Sequence, residues 1–247
     1  MKKIGWQLKF AVVLLFLSLA FYVLDYAIFD RHQDLVFYFI SNVAFLFIDV
    51  LIVMLILHSL LIYREKQAML NKLNMVVGTF FSEVGVELIQ TCIRVDASLP
   101  VLAAKLKITA DWKEKDFLEA QKHLDKTDFK ADASRLDLRE LKSYLIGRRS
   151  FMLGLLENPN LLEHESFTDL LWAVFHLTDE LAHRKDVSAL NPPDVKHISG
   201  DMNRAYRLLA IHWVGYMKHL KQDYPYLFSL AVRTNPFDPD ASIEVKQ

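Results

Sequence analysis

The sequence predicts an all-α protein: a two-helix transmembrane hairpin followed by a cytoplasmic helical-bundle domain. Three observations carry this. Two long apolar runs lie near the amino terminus, parted by the polar segment 30–34. Beyond them, apolar residues recur at i, i+3, i+4 and i+7, and no strand-like alternation of useful length appears. Among 247 residues there are 53% hydrophobic residues but only 7 glycines and 7 prolines, which favours long unbroken helices over loop-rich architecture.

The hairpin occupies residues 1–63, with helices over about 10–29 and 35–63. A helix needs about 20 residues to cross a hydrocarbon layer of ~30 Å, and neither run contains a glycine or proline. The first run does not read as a cleavable leader. Tyr22, Leu24 and Asp25 stand where a small-x-small site would be needed, and the run exceeds the usual leader length. Lys2, Lys3 and Lys9 precede the first helix, while Arg64, Lys66 and Lys72 follow the second. The loop between them sets Arg31 between Asp30 and Asp34. Positive charge at both outer flanks places both termini in the cytoplasm. The expected location is the plasma membrane, the inner membrane if the source is bacterial, with the lipid bilayer as first partner. Trp6, Tyr22, Tyr26, Tyr38 and Tyr63 fall where interfacial aromatic belts form.

Asp49 interrupts the second run within Phe45–Leu55. A central Asp costs roughly 2.5 to 3.5 kcal/mol, whereas each Leu, Ile, Phe or Val returns roughly 0.3 to 0.6, so the helix still inserts. The acid is expected to avoid lipid. Asn42 and Asp49 share one helical face (i, i+7), and Ser18, Tyr22 and Asp25 share another on the first helix. The two stripes predict a hydrogen-bonded polar seam within or between subunits. Their alternative role is a ring of Asp49 lining an ion path through an oligomer.

Residues 64–98 read as a helical stalk. Leu70, Leu73, Val77, Phe80 and Val84 follow the 3-4 spacing of a packing seam, which predicts a homo-oligomer. Residues 99–234 form the cytoplasmic helical domain, and 235–247 an extended tail. Within the domain, Asp111 with Glu114 and Ser166 with Asp169 have capping spacing, and Asp194 can cap the helix after the Asn191–Pro193 break. Phe167, Leu170, Leu171, Val174, Leu177 and Leu181 form one apolar face. Ile198, Met202, Tyr206, Leu209, Trp213 and Leu220 form another.

Phosphate-cradling glycine loops, paired cysteines and nucleophile-elbow motifs are absent from the sequence. Cys92 is the single cysteine, so no internal disulfide framework exists. A net charge of −1 and the lack of a basic-aromatic stretch argue against nucleic acid. One constellation stands out. His176, Glu180 and His183 sit at i, i+4 and i+7, and His197, Asp201 and Arg204 repeat that spacing on the next helix. Imidazole and carboxylate one turn apart can chelate a single divalent metal ion. Against this stands a solvated polar face, since the first stripe lies opposite the apolar face of its helix.

The leading functional expectation is an integral membrane protein with a cytoplasmic interaction or sensory domain and a cytoplasmic protein partner, more consistent with a non-enzyme. The alternatives are a small oligomeric ion channel or transport component with Asp49 in its pathway, and a metal-binding sensor or enzyme using the His176/Glu180/His183 face.

Overall fold

A computed structural model describes residues 32–158, 161 and 165–244, together with the helical positions 16, 20, 23 and 27. The protein is all-helical. The chain divides into two compact units, Met1–Lys66 and Gln67–Gln247.

The first unit is described mainly through helix α1, His32–Phe80, whose last turns belong to the second unit. From Phe37 to Tyr63 the described side chains of α1 are exposed on every side, among them Phe45, Leu51, Leu55 and Leu61. Asn42 and Asp49 are exposed as well. Among the described residues, one helical stretch, Asp49–Ile93, is long and apolar enough to cross a membrane. Ser18, Tyr22 and Asp25, and most of the first expected span, lie outside the described residues.

The second unit begins its core on the last turns of α1. Leu73, Val77 and Phe80 are buried, and a π-helical turn, Phe81–Gly85, carries the chain into α2, Val86–Ile93. The wide turn keeps Phe80, Phe81 and Val84 all inside the core. It also requires glycine at position 85, because a Cβ there would lie 2.5 Å from Phe81 Cδ1. Thus four members of the seam expected to pack against other copies, Leu73, Val77, Phe80 and Val84, are covered by this chain's own domain.

Helices α3 (Leu99–Leu106), α4 (Glu114–Lys126), α5 (Leu138–Leu156) and α6 (Glu165–His183) follow. The long helix α7, Pro192–Asp223, packs against α2, α4, α6 and α8, the last being Pro225–Arg233. Both predicted apolar faces, on α6 and α7, are fully or almost fully buried. The helix starts differ from expectation. Lys113, not Asp111, precedes α4, with Asp116 Oδ2 accepting its backbone N–H. Ser166 lies inside α6. Asn191 caps α7 by accepting from Asp194 N at 2.9 Å, with Pro192 opening the helix.

Two loops are tied to this frame. Asp96 Oδ1 accepts from Ser98 N and Lys130 N, beside an isolated bridge between Asp96 and Ala131. Asn203 of α7 both donates to and accepts from the Ala131 backbone. Past α8, Phe237 is fully buried and stacks on Tyr206, and Asn235 donates to Leu106 O. The start of the expected tail is therefore part of the core.

Candidate metal centre

Helices α6 and α7 form the most extensive helix pair of the second unit, and their packing brings the two histidine stripes together. His176 and Glu180 come from successive turns of α6, His197 and Asp201 from successive turns of α7. One nitrogen or oxygen from each lies within 4.8 Å of the others. Asp201 Oδ2 is central, 3.3 Å from His176 Nε2 and 3.3 Å from His197 Nε2. Glu180 closes the group, with Oε2 3.5 Å from His197 Nε2 and Oε1 3.9 Å from His176 Nε2.

The burial is graded. Asp201 is only 4% exposed, because it occupies the same face of α7 as the buried Ile198, Met202 and Ala205. Glu180 is partly buried, and both imidazole rings are about half open to solvent. Asp201 Oδ2 accepts no hydrogen bond. Such a carboxylate loses water without a compensating donor, which is costly.

Arginines brace both acids. Arg184 Nη1 donates to Glu180 Oε2 at 2.6 Å, and its Nη2 reaches Asp194 Oδ1 at 3.4 Å. This guanidinium holds the Glu180 carboxyl below the usual carboxylate range, and the same pairing raises Arg184. Arg204 Nη1 stands 3.6 Å from Asp201 Oδ1, leaving Oδ2 to the imidazoles.

Of the residues singled out from sequence, His176, Glu180, His197 and Asp201 meet, and His183 does not. Its Nδ1 bonds Asp179 O at 2.8 Å on its own helix. Two further histidines of α7, His212 and His219, are engaged elsewhere, with Ser166 O and with Asn74 and Asp223. The operative pattern is therefore His-x-x-x-Glu on α6 facing His-x-x-x-Asp on α7. Arg184 went unnoticed in the sequence, although it lies one turn from Glu180. So did the place of Asp201 in the core stripe, which was readable as an acid at i+3 from Ile198 and i−4 from Ala205.

Residues 69–233 match the family described as "Uncharacterized protein MJ1433, C-terminal helical domain", and residues 2–61 match "MJ1433, N-terminal helical domain". The chain belongs to the MJ1433 family. One relative, "Uncharacterized protein MJ1433" of Methanocaldococcus jannaschii, is 46% identical over 233 residues, covering 94% of each chain. No solved structure matches the chain. All four clustered donors lie within the segment matched to the C-terminal MJ1433 domain, whereas Asn42 and Asp49 lie within the N-terminal one.

Proposed function

We propose that this chain is an integral plasma-membrane protein, anchored by an amino-terminal helical hairpin and carrying a cytoplasmic helical domain that acts as an interaction or sensory module. The observation that carries the reading is the stretch of α1 from Phe37 to Tyr63, whose described residues present apolar side chains on all faces. A helix that is apolar all round needs either a protein core or lipid around it. The large apolar side chains described here are substantially exposed, and in water they would form an apolar patch far beyond that of ordinary soluble proteins. The backbone is satisfied within the helix, and Ser59 Oγ donates to Ile56 O at 2.8 Å, so its hydroxyl also needs no water.

Arg64, Lys66 and Lys72 then set the following segment on the cytoplasmic side, and Lys2, Lys3 and Lys9 do the same for the amino terminus. The test is alkaline carbonate extraction of membranes, combined with reporters fused at each terminus. The expected result is retention in the pellet with both reporters cytoplasmic. Release into the supernatant contradicts the anchor, and an external reporter at either end contradicts the hairpin.

A further inference from the structure

We infer that His176, Glu180, His197 and Asp201 bind one divalent first-row transition metal ion, of the zinc type, in a four-coordinate site that clamps α6 to α7. The inference is independent of the membrane reading, since every residue it uses lies in the second unit.

Distance is the first ground. Four donors about 2.1 Å from a tetrahedral ion stand roughly 3.4 Å apart. Asp201 Oδ2 stands 3.3 Å from each Nε2, Glu180 reaches His197 Nε2 through Oε2 at 3.5 Å and His176 Nε2 through Oε1 at 3.9 Å, and one donor from each of the four residues lies within 4.8 Å of the others, a set somewhat wider than those edges. Both rings are about half exposed, which leaves them room to turn toward a shared ion.

The second ground is the orphaned acid. Asp201 Oδ2 is buried, accepts no hydrogen bond, and points at the shared focus of both Nε2 atoms. Imidazole N–H groups satisfying the acid are the competing account. Neither ring's 3.3 Å contact makes a hydrogen bond to Oδ2, so the oxygen stays unsatisfied by them. A single dication at that focus satisfies the acid and takes a lone pair from each ring, the way neutral imidazole ligates.

The third ground is support. Metal-binding carboxylates are held by outer partners, and here Arg184 holds one oxygen of Glu180 while Arg204 faces the other oxygen of Asp201. The buried neighbours Leu177, Leu181, Ile198 and Met202 lock the rotation of both helices. Mixed imidazole and carboxylate donors without thiolate suit zinc, iron(II), cobalt(II) or manganese(II). Since the protein supplies all four positions, the ion is structural or sensory, with no position reserved for substrate.

The test uses the full chain in detergent, purified without a histidine tag and stripped of metal. Zn2+ and Co2+ are titrated separately. One equivalent of each is expected to bind, Co2+ with the intense visible bands of four-coordinate geometry. Asp201→Asn and His176→Ala should each weaken binding at least about tenfold, whereas His183→Ala should leave it unchanged. His176 is half exposed, so its variant retains the fold if circular dichroism and the unfolding midpoint without metal match the parent. Absence of stoichiometric binding, or binding indifferent to His176→Ala and Asp201→Asn, overturns the site. A weak six-coordinate Co2+ spectrum overturns the clamp geometry.

Discussion

Helix α1 changes character along its length. From Phe37 to Tyr63 its described apolar side chains are exposed on every face, while from Leu73 onward Leu73, Val77 and Phe80 form a buried stripe and Met75, off that stripe, stays exposed. Leu55 is 60% exposed and Phe80 0%. Similar hydrophobicity therefore serves two solvents. In the second unit, packing decides which residues matter; along Phe45 to Tyr63 the described side chains are exposed whatever face they occupy, and their apolar composition is what distinguishes them.

That contrast orders the expected effects of substitution. Phe80→Ala removes a ring packed edge-on against both Phe81 and Phe167, and should destabilise the domain by about 3–5 kcal/mol in chemical unfolding. Gly85→Ala forces a Cβ into the Phe81 ring and should cost about 1–3 kcal/mol by the same measurement. Asp137→Ala removes the acceptor for Arg139 N at the start of α5, worth about 1 kcal/mol. Leu55→Ala, in the exposed run, should leave the unfolding of the helical domain unchanged. An effect of Leu55→Ala as large as that of Phe80→Ala would erase the distinction between the two regions.

Legibility followed the same division. The all-helical class and both apolar faces of α6 and α7 could be read from periodicity, because each is a property of one helix. The metal centre was only partly readable. The i, i+4 spacing brought out His176 with Glu180 and His197 with Asp201, but it equally admitted His183. The rotation of α6 against α7 decides between them, and it turns Leu177 and Leu181 of α6 and Ile198 and Met202 of α7 into the shared core. The burial of Phe237 was hidden for a related reason. A lone aromatic in a proline-rich segment has no periodicity, and its partner Tyr206 is distant in sequence. The caps were displaced because several polar residues near each start had acceptable spacing, and only Lys113–Asp116 and Asn191–Asp194 had the geometry.

Cysteine labelling probes the division directly. The native Cys92 supplies a quiet background, since it is buried and burial pushes its thiol up, which keeps it protonated at neutral pH. Leu55→Cys and Leu118→Cys start from comparable exposure, 60% and 45%. In membrane preparations with the cytoplasmic face open, a water-soluble maleimide should label Leu118→Cys rapidly and Leu55→Cys hardly at all until detergent is added. Equal labelling of the two in intact membranes would contradict the account, because it would mean that the apolar face of α1 meets water rather than lipid.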